Sequence, residues 1–260
     1  MCTLGALLNV HPEYPLVLAA NRDEVYARPA RPPALVDRDR QVVAGTDVLG
    51  GGTWLGVTAA GRVVGVTNHA AAQPRDPTAR SRGLAVREAL VAADLRGYVA
   101  GLDPRAYAGM NLLYGEAGWL EAAYLRPDGT HEIERLGPGV HVLCNDRLGA
   151  PGYPRGTRVA AAMAEVATAP WPALRDRLAA ALADHTLAPT PPVPAGAVAL
   201  PDELRRALTA TCIHAGAYGT RSATLVAIAA DGVAHYAFTD GPPCTAPWQD
   251  ATAAFRSTPR

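Results

Sequence analysis

The amino-acid sequence predicts an α+β protein in which stacked antiparallel sheets are covered by helices, and three observations carry that reading. Short apolar runs with the pattern of strands crowd both ends of the chain. Segments with apolar residues at helical spacing fill the middle. The 260 residues, 49% hydrophobic, suffice to bury one large core, so residues 1–260 are expected to form a single domain.

Taken in order, Thr3 to Val10 and Leu16 to Ala20 are apolar runs separated by His11-Pro12-Glu13-Tyr14-Pro15, which reads as a hairpin. The polar tetrapeptide Asn21-Arg22-Asp23-Glu24 is expected just past the end of the second strand. Gln41 to Ala44, Thr53 to Thr58 and Val63 to Thr67 continue the strands, with Ala60-Gly61 turning between the last two. From Ser81 to Ala93, Leu84, Ala85, Ala89, Leu90 and Ala93 recur at helical spacing. Met110 to Tyr114, Leu120 to Leu125, His131 to Leu136 and Val140 to Cys144 form a second strand group, the middle pair joined by Pro127-Asp128-Gly129. Arg158 to Ala167 and Ala173 to Asp184 read as helices, and Asp202 as the N-cap of another reaching Ala210. Thr190 to Pro194 is Pro-rich but too short for a domain linker. A hairpin of Ala223 to Ala229 and Val233 to Phe238, turned by Asp231-Gly232, closes the pattern.

Composition narrows the function classes. Acidic and basic residues balance at 24 each with no long single-sign run, which argues against a nucleic-acid partner. Every basic residue is Arg, so no Lys can serve as a base or Schiff-base former. Leu4 to Val10 has no basic flank and is far too short to span a bilayer, so a cytoplasmic protein without membrane insertion is expected. Cys2, Cys144, Cys212 and Cys244 form no C-x-x-C pair, and His214 and His235 have no partner at ligand spacing; neither a metal site nor a disulfide framework is expected. Gly50-Gly51-Gly52 lacks the Lys and helix of a phosphate loop and reads as an approach to the Trp54 strand.

The chemistry starts at Cys2. Initiator Met is usually removed before a small second residue, which leaves a thiol and an α-amine on one residue. The amine titrates near ~8 and the thiol near ~8.5, so either can exchange a proton with the other near neutral pH. That is a nucleophile carrying its own base. On position alone, a small apolar residue at a strand start is the commoner fate. The tetrapeptide adds a carboxylate that favours the ammonium and a guanidinium that favours the thiolate.

Met1-Cys2-Thr3 with Asn21-Arg22-Asp23-Glu24 resembles the NRDE family, named for that tetrapeptide and also called the transport and Golgi organisation protein 2 family. The resemblance extends along the chain through Gly51 to Val57, Val66-Thr67-Asn68, Ser81-Arg82-Gly83, Asn111-Leu112-Leu113, Cys144-Asn145 and Tyr218 to Ser222. The family is similar to the N-terminal-nucleophile hydrolases of the cholylglycine hydrolase and penicillin V acylase type, which implies a four-layer αββα sandwich. Carried over residue by residue, Cys2 matches the nucleophile and Asp23 the aspartate that binds the terminal amine. The Asn68 backbone N–H and the Asn145 side-chain amide match the two oxyanion donors, and Arg221 the arginine beside the nucleophile. One departure stands out: the acylases carry an Arg three residues before the aspartate, where this chain has Ala20. Arg22 is the nearby guanidinium, yet neighbouring strand residues face opposite ways, so Arg22 and Asp23 cannot both point at Cys2 from a regular strand.

The resemblance implies hydrolysis or acyl transfer at a small acyl-amide, with no cofactor and with the oligomeric state open. It also permits a carrier of haem or an acyl-lipid metabolite using the same pocket, or a hydrolase scaffold without chemistry. His69, next to Asn68, reads as a loop histidine, and Cys144 as a buried thiol.

Overall fold

The computed structural model describes residues 2–69, 78–190 and 200–255. In chain order the strands are β1 Cys2–Leu8, β2 Leu16–Val25, β3 Ala30–Asp37, β4 Val42–Asp47, β5 Leu55–Thr58, β6 Val63–Asn68, β7 Met110–Glu116, β8 Trp119–Leu125, β9 His131–Leu136, β10 Gly139–Leu143, β11 His214–Ala215, β12 Tyr218–Ala229, β13 Gly232–Thr239 and β14 Trp248–Asp250. The helices are α1 Arg82–Val91, α2 Leu95–Ala100, α3 Pro154–Glu165, α4 Trp171–Leu182 and α5 Asp202–Ala207.

These strands form two antiparallel sheets. The first runs β10-β1-β2-β12-β13-β14, with β11 paired to β12; the second runs β3 to β9 in chain order. Alternation along each strand divides the core into three layers. Leu4, Ala6, Leu8 and Leu18 of the first sheet meet Val43, Leu55, Val57 and Leu113 of the second between the sheets. Leu7, Val17, Ala19 and Leu225 turn outward under α3 and α4, against Val159, Met163, Leu174 and Leu178. On the far side, Val64, Val66, Leu112 and Tyr114 lie under α1 and α2. A strand covered on both faces can be apolar throughout, which is why β1 reads as an unbroken apolar run. The architecture is an αββα sandwich.

Two glycines set the spacing. A Cβ at Gly5 would stand 2.7 Å from Met163 Sδ, so glycine lets α3 approach β1. A Cβ at Gly52 would stand 2.1 Å from the Gly83 carbonyl carbon, so the triple glycine is packed against the start of α1 rather than being a loose approach to Trp54.

Two expectations change and one strand is added. The second strand does not stop before the tetrapeptide but continues through it to Val25, since β1 and β12 pair with it on both sides. Strand β3 was not legible because Pro32 and Pro33 interrupt it; it survives as an edge strand with irregular pairing. Asp202 lies inside the first turn of α5, where it pairs with Arg205 at 2.7 Å, and Pro201 takes the cap position. The Pro-rich stretch falls, beyond Thr190, outside the described residues. Among the described residues no helix is long and apolar enough to cross a membrane.

Candidate active site

Strand register decides which side chains meet Cys2. Cys2 stands directly across from Arg22, and cross-strand partners share a face. Since Leu4, Ala6 and Leu8 point between the sheets, alternation puts Cys2 and Arg22 on that same inter-sheet face. The Arg22 guanidinium lies 4.3 Å from the Trp54 ring centroid and 4.0 Å from the Asp47 carboxylate, which Arg28 holds at 2.7 Å.

The tetrapeptide therefore stays in the strand, and its side chains take turns. Asn21 faces outward and donates to the Leu182 and Thr211 carbonyls at 2.9 Å each, fixing the end of α4 on the sheet. Arg22 faces inward beside the thiol. Asp23 faces outward again, fully buried, and accepts a 2.7 Å hydrogen bond from the Thr220 hydroxyl directly opposite it. Glu24 accepts from the Val25 N–H and lies 3.7 Å from Arg28, away from the thiol chemistry. Of the guanidinium and the carboxylate, it is the guanidinium that shares a face with Cys2.

On the other flank of β1, Leu4 pairs with Leu143. Asn145 follows two residues beyond that last pair, at the end of β1 where Cys2 lies. Asn145 is fully buried: its Nδ2 donates to the Asn68 carbonyl at 2.8 Å, and its Oδ1 accepts from the Arg155 guanidinium. Asn68 ends β6 of the second sheet, so this amide ties the two sheets together at the thiol. A carboxamide has two N–H donors, and the bond to Asn68 uses one. The His69 N–H donates to Gly109 of the neighbouring loop at 3.0 Å. Antiparallel ladders alternate, so the Asn68 N–H turns away from β7 and toward the side of β5, past the point where β5 begins.

Arg221 occupies the bulge in β12 between Thr220, paired with Asp23, and Ser222, paired with Arg22. The extra residue re-aims its side chain. Its Nε is buried without a hydrogen-bond partner among the described residues. With Arg22 and Trp54 it lines an open groove that also takes in Ser222, Phe238 and Asp240. Two guanidiniums thus look into one groove.

Burial dominates the electrostatics. It pushes the half-buried Cys2 thiol up, and the Asp23 carboxylate adds to that; the Asp23 backbone N–H and the Arg22 guanidinium oppose it. Burial also raises Asp23 above the usual carboxylate range, against the pull of Arg155 and the Thr220 hydroxyl. For Tyr218, burial followed by the charges of Asp23 and Cys2 pushes the hydroxyl up, so it stays protonated at neutral pH.

Sequence reasoning missed Arg155, Thr220 and Tyr218 as members of this cluster. Arg155 is 1% exposed and also donates to the Leu208 carbonyl at 2.8 Å. It stands in the first turn of α3, where a cation opposes the helix dipole; that misplacement is the one local sign that a partner awaits it. Cys144 is buried, with its Sγ against Gly156 of α3 and beside the Arg155 guanidinium. His69 is half-buried, 3.7 Å from Asp146, and burial keeps it below the usual histidine range.

Residues 1–239 match the sequence model of the family described as Transport and Golgi organisation 2. The chain belongs to that family. The Transport and Golgi organization protein 2 homolog of Bos taurus is 31% identical over 241 residues, covering 87% of this chain and 86% of the relative. The Homo sapiens homolog is 28% identical over the same spans. Among solved structures, a Caenorhabditis elegans N-acylethanolamine-hydrolyzing acid amidase ortholog aligns with a TM-score of 0.53 at 11% identity, covering 87% of this chain and 92% of that one. A mutant conjugated bile acid hydrolase from Clostridium perfringens aligns with the same TM-score at 9% identity, covering 96% and 92%. At these identities the likeness is one of fold, and it is the N-terminal-nucleophile hydrolase fold that this family member has.

Proposed function

We propose that this chain is an N-terminal cysteine amide hydrolase or acyltransferase that cleaves a small acyl-amide through an acyl-thioester at Cys2. The observation that supports it most is the gathering of three elements at one end of the sheets: Arg22 across from Cys2 on β2, Asn145 two residues past the end of β10, and Asn68, bonded to Asn145, at the end of β6 in the facing sheet. Two structural neighbours, named as an N-acylethanolamine-hydrolyzing acid amidase ortholog and a mutant conjugated bile acid hydrolase, share this fold.

Removal of Met1 turns the Cys2 nitrogen from a peptide nitrogen into a free amine. An α-amine lies on the strand axis, so groups on either sheet face are within its reach. Asp23 on the outer face then holds it, while the thiol projects onto the inner face beside Arg22. Cys2 Sγ attacks the carbonyl carbon as its proton passes to the amine, and the C=O electron pair becomes an alkoxide. The Asn68 N–H and the second Asn145 N–H stabilise that charge, each worth roughly 3 kcal/mol when rigidly held. Collapse re-forms the carbonyl, breaks the C–N bond and passes the proton to the departing amine. Water, or an amine acceptor, attacks the thioester by the same route and releases the acyl group.

The test is mass spectrometry of the purified chain, alone and after incubation with an acylating electrophile. The expected result is a chain that starts at Cys2 and gains one acyl group, which Cys2→Ala abolishes. Retention of Met1, or an adduct indifferent to Cys2→Ala, overturns the proposal. So does stoichiometric haem binding that Cys2→Ala leaves unchanged in a chain that forms no adduct; that outcome favours a carrier.

A further inference from the structure

Away from Cys2, the fold gathers His185, Cys212, His214 and Cys244, whose ligand atoms all lie within 4.8 Å of one another. No two of the cysteines stand at C-x-x-C spacing, and the sequence left His214 without a partner. Packing supplies what spacing withheld. His185 follows α4, Cys212 leads into β11, His214 opens β11, and Cys244 follows β13.

We infer that these four side chains form a structural site for a soft divalent cation of the zinc class, bound by two thiolates and two imidazoles. The donor set is the first argument: two sulfurs and two nitrogens, all supplied by protein, match the closed tetrahedral zinc site. Distance is the second. A tetrahedron with metal–sulfur bonds of ~2.3 Å and metal–nitrogen bonds of ~2.0 Å has edges of about 3.3–3.8 Å. Here the two sulfurs stand 3.6 Å apart, and His214 Nε2 lies 3.8 Å from Cys212 Sγ and 3.3 Å from Cys244 Sγ.

The surroundings of the imidazoles are the third argument. His185 Nδ1 lies 3.0 Å from the Cys212 carbonyl, which can only accept, so Nδ1 carries the proton and Nε2 keeps its lone pair. His214 Nδ1 lies 3.1 Å from the Tyr26 hydroxyl, which also reaches the Ile213 carbonyl at 3.4 Å. With Tyr26 donating to that carbonyl, His214 Nδ1–H donates to Tyr26, and Nε2 is again left for the cluster. Ligating histidines are oriented this way, through their second nitrogen.

The site fills every position with protein, so it organises the fold and performs no reaction. What it organises reaches Asp23. Between Cys212 and His214, the Ile213 N–H donates to Thr220 Oγ1 at 2.9 Å, and Thr220 Oγ1 donates to Asp23 at 2.7 Å. A cation that fixes residues 212–214 fixes the hydroxyl that holds this carboxylate.

The experiment is elemental analysis of the full-length protein purified under reducing conditions, followed by chelator treatment and titration with Co(II). One zinc per chain is expected, with the visible d–d bands and the thiolate charge-transfer band of tetrahedral cobalt. Cys212→Ser or Cys244→Ser should lower the zinc content to below about a tenth per chain, and Tyr26→Phe should weaken binding about 10-fold. Cys2→Ser should leave the stoichiometry at one, which separates this site from the reaction proposed at Cys2. Should the cysteine variants fail to fold, the wild-type cobalt spectrum decides by itself. Absence of zinc together with a cobalt spectrum lacking thiolate bands overturns the site; so does a Cys212–Cys244 disulfide in reduced preparations, or loss of the metal in Cys2→Ser.

Discussion

Among the described residues, Cys2 and the Cys212–Cys244 pair stand in clusters of polar side chains, and their neighbours differ in kind. Cys2 is a single thiol set among a guanidinium, a carboxamide and a carboxylate on the adjoining strand. Cys212 and Cys244 are a pair of thiols facing two imidazoles. In the reading proposed here, the lone thiol among hydrogen-bond donors meets a carbonyl that develops charge, and the two thiols with two imidazoles meet a cation that neutralises them. The comparison teaches that the reactivity of a sulfur is written in the residues around it, and that a count of cysteines alone misreads both centres.

The sharpest way to break this contrast is to move the chemistry. Cys2→Ala should lower acyl-amide turnover at least ~10⁴-fold and abolish the adduct, while leaving the metal content of the other centre unchanged. Residual adduct at Cys212 or Cys244 in that variant, seen by peptide mapping, would erase the distinction.

Asn145→Ala comes next. It removes the proposed oxyanion donor, one acceptor of the Arg155 guanidinium and the side-chain donor to the Asn68 carbonyl. The expected loss is about 10²–10³-fold in kcat, measured at saturating substrate, with destabilisation of about 2 kcal/mol in urea unfolding. A change confined to KM would argue that the amide only shapes the pocket.

Thr220→Val tests the link between the centres through the pH profile. Asp23 must be ionised to hold the ammonium, and burial raises its pKa, so the acid limb of turnover should lie above the ordinary carboxylate range. The Thr220 hydroxyl lowers that pKa; removing it should move the limb to higher pH and cut activity about 10-fold below the limb. A limb that moves down, or stays, contradicts the assignment of Asp23.

The smallest effect is expected from Gly65→Ala. A Cβ there would stand 2.9 Å from Leu4 Cδ1, two residues along β1 from the thiol. Flexible leucine gives way, so thermal unfolding should register about 1 kcal/mol, with kcat falling more than stability predicts because the sheets are eased apart.

Local patterns account for much of what the sequence revealed. His131–Leu136 emerged with its bounds intact, because the Pro127-Asp128-Gly129 turn that precedes it is a local signal. The tetrapeptide was visible, but its place in mid-strand was not: four polar residues look like a strand end unless the partners that satisfy them are known. Asn21 finds carbonyls of residues far along the chain, and Asp23 finds Thr220. Asn68 and Asn145 were singled out by family resemblance, since each alone is an ordinary turn residue. Arg155 and the His185 cluster stayed hidden because their neighbours are created only by packing.

The bond from Asn145 to Asn68 has a consequence for biogenesis. It spans two sheets whose contributing segments lie far apart in the chain, so it exists only once the sheets have docked. A folding intermediate with both sheets formed but still separate would present a thiol without its donor pair. Acylating reactivity would then arise at the last assembly step, and the nascent polypeptide would pass through synthesis chemically quiet.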